Sequence, residues 1–260
     1  MLSSTIDKQN SEFWNELCGT GLARSLGITE PSPESLRCFD DAYLGFYPYL
    51  GHYVFPEDLK GKRVLEIGLG YGTLGQLIAL QGCRYHGLDI AVNPVAMMRY
   101  RFALLGLEGT HRVQVGSALE IPYKDSSFDY VYSIGCLHHT GDLNRGISEV
   151  YRVLAKGGKA IIMLYHRHSF RQLVRLPRLR LRNLVRQCFR STNGSPGFAQ
   201  WVRALYDTNA KGEAAPHTEY VSRAQVRNLF SAYRGVRIES QNCDPLMLPQ
   251  GRVVVSREKL

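Results

Sequence analysis

The chain has 260 residues, 44% of them hydrophobic and 21% charged, and a formal net charge of +9. That composition excludes a disordered segment and a small cysteine-stapled scaffold, and a chain of this length buries roughly three quarters of its unfolded surface without a disulfide or metal to hold it. Six cysteines, Cys18, Cys38, Cys83, Cys136, Cys188 and Cys243, include no CxxC pair and no zinc-spaced cluster, which points to reduced thiols and a cytoplasmic setting, with no metal site expected.

Met1 to Asn10 is polar and lacks the apolar core of a targeting signal, and no apolar run approaches the ~18 residues of a membrane span. Residues 1–60 read as an aromatic-rich N-terminal region. Phe13-Trp14 opens it, Thr29 to Pro33 breaks it with two prolines, and Phe39 to Phe55 carries seven Phe and Tyr residues. That last stretch is either a core-packing helix or a lid over a pocket.

Residues 61–165 alternate strand and helix. Arg63 to Ile67 is a short apolar run ending in glycines, Thr73 to Gln81 a helix stopped by Gly82, and Tyr85 to Leu88 a second strand. Asn93 and Pro94 start a helix as N-cap and first helical residue, and it ends near Gly106. Arg112 to Val115 and Phe128 to Ile134 are further strands. Asp142 to Ala155 is an amphipathic helix with Leu143, Ile147, Val150 and Leu154 on one stripe, closed by Gly157-Gly158, and Lys159 to Tyr165 is a fifth strand. Strands alternating with helices imply a parallel sheet covered on both faces, with ligands at the carboxyl ends of its strands.

Residues 166–215 contain a basic insert. Nine arginines and no acid lie between Arg167 and Arg203, and Arg171, Arg175, Arg178, Arg182 and Arg186 recur at helical spacing, although Pro177 divides the helix. Three uses fit: a solvated cover over the site, docking to an anionic membrane surface, or binding an RNA or carrier-bound acceptor. No recognisable RNA-binding module accompanies the segment, and DNA is not an expected partner. In residues 216–260, Ser222 and Gln225 form a capping box for a helix to about Tyr233, and Val236 to Glu239 and Val253 to Val255 read as strands.

The chemistry concentrates after the first strand. In Glu66-Ile67-Gly68-Leu69-Gly70-Tyr71-Gly72 a strand enters a glycine turn and then a helix, which lets a ligand approach the main chain. Gly70 to Gly75 also matches GxGxxG, and Asp89, about twenty residues on, suits the two hydroxyls of an adenosine ribose. Loop and acid together indicate an adenosine cofactor without saying which. Glu66 next to the turn is unfavourable to a phosphate and suits a cationic ligand, or else it ties down the loop.

Val64 to Gly72 resembles the first motif of class I S-adenosylmethionine (SAM) dependent methyltransferases, and Leu88-Asp89 the second. Gly116-Ser117-Ala118 with Ile121-Pro122-Tyr123 and Ser127-Phe128-Asp129 resembles the third and fourth. Ser133 to His139 and Glu149 to Leu154 with Lys156-Gly157-Gly158 are similar to the small-molecule subgroup that includes the ubiquinone and menaquinone C-methyltransferases. The resemblance covers about 100 contiguous residues in order.

It implies an α/β, Rossmann-like fold with a seven-stranded, mostly parallel sheet whose last strands come from Val236 to Val255. It also implies S-adenosyl-L-methionine as cofactor and methyl transfer to a small organic acceptor by in-line displacement. Glu66, Gly68, Gly70 and Gly72 would line the aminoacyl end, Asp89 the ribose, Ile90, Ser117 and Ala118 the adenine, and Ser133 and Ile134 the methionine moiety. Ser117 stands where the family usually has Asp, and a hydroxyl accepts from the adenine amino group more weakly than a carboxylate; Glu120 is a candidate substitute. His138 and His139 are the candidates for acceptor chemistry, since a neutral imidazole can take a proton; the alternative is that one of them braces its loop. Tyr43, Tyr47, Tyr165 and His166 are candidates for an aromatic acceptor pocket. Methylation of RNA or a carrier-bound substrate, an NAD(P)-dependent oxidoreductase and a non-catalytic adenosine-cofactor-binding protein are the alternatives.

Overall fold

In the computed structural model the described residues are 5–16, 21–109, 111–169, 198–241, 245–248 and 251–254. The arginines from Arg171 to Arg186 lie outside them. Four helices come first: α1 (Thr5–Trp14), α2 (Gly21–Ser25), α3 (Pro33–Phe46) and α4 (Leu50–Val54). The alternating unit follows: β1 (Arg63–Ile67), α5 (Thr73–Ala79), β2 (Arg84–Asp89), α6 (Val92–Leu104), β3 (Arg112–Val115), β4 (Phe128–Ile134), a 3₁₀ turn at Leu137–His139, α7 (Leu143–Val153) and β5 (Leu154–Met163). Two short helices, α8 (Phe198–Ala204) and α9 (Arg223–Leu229), and two strands, β6 (Pro245–Leu248) and β7 (Gly251–Val254), complete the described elements.

The sheet has five strands in the order β3-β2-β1-β4-β5, all parallel. The order reverses between β1 and β4, and a parallel sheet opens its ligand crevice at the carboxyl ends beside such a switch point. The seven-strand expectation is corrected here: among the described residues β6 and β7 pair only with each other, antiparallel, and Val236 to Glu239 forms no strand. Glu239 instead takes the Tyr53 hydroxyl and an ion pair from Arg237, so this stretch is held by side chains, not by a backbone ladder.

Alternation along the strands sorts the core. Val64, Tyr85, Tyr130 and Tyr132 face one side, with Leu50 and Val54 of α4, Ile78 of α5 and Met98 and Phe102 of α6. Leu65, Ile67, Leu88 and Val131 face the other, with Leu143, Ile147, Val150 and Val153 of α7. Burial of those α7 side chains contributes on the order of 2 kcal/mol each. A third cluster packs α2 and α3, through Ala23, Leu36 and Phe39, onto Tyr71 and Met97. The N-terminal region is thus core-packing and also lies against the loop after β1.

Two local readings change. Asn93 is not the N-cap of α6: the helix starts at Val92 after Ala91, and the Asn93 side chain bonds the Asn15 carbonyl while its amide donates to Asn15 Oδ1. Gly157-Gly158 does not close α7 but lies inside β5, where the β4–β5 register shifts between Phe128 and Tyr130. Gly157 is left-handed there (φ 79°), and a side chain on Gly158 would stand 2.9 Å from the carbonyl oxygens of Ala155 and Asp129.

Candidate active site

The loop between β1 and α5 takes left-handed backbone at Gly68, Gly70 and Gly72 (φ 84°, 51° and 81°), which L side chains rarely adopt. Their surroundings differ. A Cβ on Gly68 would stand 2.7 Å from Cys136 Sγ, and one on Gly72 2.8 Å from Arg101 Cδ, whereas one on Gly70 would meet nothing within 4 Å. Gly68 and Gly72 are therefore glycines for packing, and Gly70 is the open point where a ligand can reach the main chain.

Asp89, at the end of β2, is buried beside this loop. Its Oδ2 accepts from the Leu69 amide at 2.7 Å and its Oδ1 from the Ala91 amide at 2.9 Å. Burial pushes its pKa up to about 6, and these amides pull it back. The Gly70 and Ile90 amides also act on it, and a carboxylate at the mouth of this loop is the kind of acceptor that a pair of vicinal hydroxyls needs. Glu66 is buried beneath Gly75, with the Tyr85 hydroxyl on its carboxyl, and burial pushes it up to about 8. Its observed partner is thus a core tyrosine, and it lies under the loop. Arg101, fully buried on α6, donates to the Tyr71 carbonyl, to Gln76 Oε1 and with both terminal nitrogens to Asp40 of α3. That clamp fixes loop, α3 and α6 together.

Ile90 is half-buried directly after Asp89. Ser117 is half-buried, and its hydroxyl accepts from the Leu119 amide at 3.1 Å, forming a local turn; Ala118 is buried behind it, and Glu120 is exposed. Ser133 is fully buried on β4 with the Cys136 thiol beside it and no hydrogen bond of good geometry on its hydroxyl. Ile134 packs on the first face.

The turn after β4 carries the two histidines, and they part company. His139 is a brace: its Nδ1 lies 2.8 Å from the His217 carbonyl, its own carbonyl accepts from Asn10 Nδ2 at 2.7 Å, and the Trp14 ring packs against it, tilted by 55°, at 4.9 Å. Its Nε2 faces Asp207 at 3.7 Å. His138 is 0% exposed, packed between His139 and Tyr165 at 4.2 and 4.0 Å, and neither ring nitrogen has a hydrogen-bond partner. Burial holds it well below the usual histidine range, so it is neutral. Buried polar atoms without partners are rare, and each asks for a reason.

Tyr165 joins this group, its hydroxyl donating to Asp207 at 3.2 Å. His166, the next residue, pairs its backbone with Val221 and sets its ring against His168; neighbours in extended chain face opposite sides, so it turns away from Tyr165. Tyr43 and Tyr47 belong to a row of contacts, Tyr71–Phe39–Tyr43–Tyr47–Tyr49–Met163, that runs from the glycine loop to the end of β5. Asn10, Trp14, Asp207 and His217 escaped the sequence reading. They reach the turn across 68 or more positions, and no local spacing signals such contacts.

A cavity of about 400 Å³ lined by Arg167, Thr218, Glu219, Tyr220, Val221 and Gln225 borders this segment and shares no lining residue with the glycine loop. No described helix is long and apolar enough to cross a membrane.

A family model for a methyltransferase domain matches residues 65–162, the stretch from the glycine loop to the end of β5. Over this stretch the chain is similar to methyltransferases. This domain is similar to phosphoethanolamine N-methyltransferase 2 of Caenorhabditis elegans, 35% identical over 43% of this chain and 25% of that protein. It is also similar to ajmaline N-methyltransferase of Rauvolfia serpentina, 36% identical over 44% of this chain and 40% of that protein. The chain spans 25% to 40% of the length of the curated relatives it matches. Among solved structures, the YcgJ protein of Bacillus subtilis superposes with a TM-score of 0.50 at 22% identity, over 72% of this chain and 67% of that one, and shares the fold of the methyltransferase domain.

Proposed function

We propose that the protein transfers a methyl group from SAM to a small organic acceptor, with the cofactor along Gly70 and Asp89 and the acceptor at the His138 turn. The residues fit this cofactor: Asp89, buried beside the loop, is placed for the ribose hydroxyls, and Gly70 leaves the main chain open to a ligand. SAM supplies an electrophilic methyl carbon. Asp89 holds the ribose hydroxyls, Gly70 admits the cofactor to the main chain, and Ile90, Ser117 and Ala118 bound the adenine side. The observation that carries the acceptor end is His138: neutral, buried and unpartnered, two residues beyond the Cys136 that abuts Gly68. A neutral imidazole there orients an acceptor or takes its proton, and the aromatic surroundings exclude water. Phosphoethanolamine and ajmaline, named in the two relatives, are both small molecules, which supports an acceptor of that size. Methylation of RNA or a carrier-bound substrate would rest on Arg171 to Arg186.

Calorimetry with SAM, S-adenosylhomocysteine and NADPH tests the reading. SAM and its demethylated product bind at micromolar concentration, NADPH does not, and Asp89→Ala weakens both by about 100-fold, the loss of two charge-assisted bonds at ~1.5 kcal/mol each. NADPH binding without SAM binding would return the loop to the dinucleotide reading.

A further inference from the structure

The helix α1 bridges the two walls of the crevice at the switch point. At its start Ile6 sits on bare backbone: a side chain on Gly141 would stand 3.0 Å from Ile6 Cγ2. Further on, Asn10 donates to the His139 carbonyl at 2.7 Å, and the Trp14 ring packs against the His139 ring at 4.9 Å. All three contacts fall on the chain that leaves β4. The next residue holds the other wall. Asn15 Oδ1 accepts from the Asn93 amide at 2.9 Å, and the Asn15 carbonyl accepts from the Asn93 side chain, in the first turn of the helix that leaves β2. Consecutive residues, Trp14 and Asn15, thus grip opposite walls. Between β2 and β4 lies β1, so the two strand ends stand about 10 Å apart, two strand spacings. The helix itself is about 15 Å long, enough to cover that width. Under the crossing is the carboxyl end of β1, where the glycine loop starts, with Asp89 at the end of β2 beside it.

The hold is polar and light. Among the described residues, none from α1 belongs to the three apolar clusters, and the two side chains it buries are Asp7 and Asn10. By contrast, α7 buries Leu143, Ile147, Val150 and Val153. An element with few buried apolar contacts, held by hydrogen bonds that water can replace, opens more readily than the core around it. We propose that α1 is a strap that gates the crevice: it spans the mouth from wall to wall, and it lifts from one wall to let the cofactor enter or leave. Trp14 and Asn15 are its latch. The identity of the cofactor rests on the SAM reading above, whereas the strap rests on the contacts of α1 itself. A gate and a mere wall differ in kinetics. Weakening a wall of an open site speeds dissociation alone; loosening a gate speeds entry and exit together.

The test uses the full chain in two variants: Asn15→Ala with Asn93→Ala, which frees the β2 side, and Trp14→Ala, which frees the β4 side. Surface plasmon resonance with S-adenosylhomocysteine gives the two rate constants, and calorimetry gives the dissociation constant. In both variants association and dissociation are each expected to quicken about tenfold, while the dissociation constant stays within about threefold. Faster dissociation with unchanged association overturns the proposal, as do wild-type rates in both variants. A second readout needs no ligand. Cys136 abuts Gly68 in the crevice, and Cys38 is exposed on α3. Labelling by N-ethylmaleimide, followed by peptide mass mapping, should quicken about tenfold at Cys136 in both variants and stay unchanged at Cys38. Cys136 labelled at the wild-type rate in both variants would also overturn the gate. If its labelling quickens but the wild type binds neither SAM nor S-adenosylhomocysteine, the strap stands and the cofactor reading falls.

Discussion

Glu66 shows how a residue in a cofactor motif can serve the fold beneath it. Its carboxyl lies under α5 with the Tyr85 hydroxyl on it, and burial lifts its pKa from the usual 4.5 to about 8. The sign follows from linkage. A folded-state pKa above the unfolded one means that the folded protein holds the proton more tightly, so the stabilisation is complete below about pH 4.5 and is lost as pH rises through about 8. Asp89, raised to about 6, adds to the same decline over a lower window. Wild-type stability is therefore expected to fall by a few kcal/mol between pH 5 and 8, an order-of-magnitude figure for a buried acid. Glu66→Gln keeps an acceptor for Tyr85 and cannot ionise, so its denaturation midpoint should vary less over that range. Equal slopes in urea titrations of the two proteins would show that Glu66 ionises as freely in the fold as in the unfolded chain. The acidic residue itself was readable from sequence. Its orientation was not, because a strand position says which face a side chain takes only once the register with Tyr85 on β2 is known.

Among the elements, the five parallel strands were legible because each is a short apolar run between turn residues, and three of them, Arg63 to Ile67, Arg112 to Val115 and Phe128 to Ile134, start and stop where the pattern does. The misreadings came from residues with two uses. Gly157-Gly158 suits a helix end as well as a strand bulge, and Asn93 was claimed by a partner 78 positions away before it could cap its own helix. The contact between α3 and α6 was likewise invisible, being a charge pair 61 positions apart: Asp40 accepts from both Arg101 Nη1 and Nη2 at 2.8 Å and from Thr73 Oγ1 at 2.6 Å. Removing Asp40 leaves the fully buried guanidinium without its counter-charge. Breaking such pairs costs about 3–5 kcal/mol; since Asp40 is partly exposed, Asp40→Ala should lie at the lower end, near 3 kcal/mol, and lower the melting temperature by roughly 6–12 °C. Asp40→Leu with Arg101→Met removes both charges and should recover a large part of that loss. A double mutant no more stable than Asp40→Ala would place the cost in lost packing of α3.

At the scale of the molecule, the domain divides by chain segment. The glycine loop and Asp89 lie within the stretch the family model matches, whereas the His138 turn is closed by the two flanks. Asn10 holds the His139 carbonyl from one side; the Glu219 amide holds the His138 carbonyl at 2.8 Å and the His217 carbonyl holds His139 from the other. The flanks also clasp each other: Arg24 donates to the Thr208 carbonyl at 2.7 Å, and the Ala210 amide donates to Glu16 at 2.9 Å. These bonds run between the two flanks, away from the glycine loop and Asp89, so opening the clasp leaves the bonds of that loop in place. The pair Arg24–Glu16 is about a third exposed and 3.6 Å apart, which makes its ion-pair contribution small; its weight lies in the bonds to the 208–210 backbone. Glu16→Ala with Arg24→Ala should therefore leave the SAM dissociation constant within twofold and the melting temperature within a few degrees, while the amides of residues 205–215 exchange with solvent at least tenfold faster. Calorimetry and hydrogen exchange on the same protein measure both. Unchanged exchange would mean that α8 and the loop after it are held by the sheet edge alone, through Tyr165 and Asp207, and that the N-terminal flank covers the acceptor end without securing it.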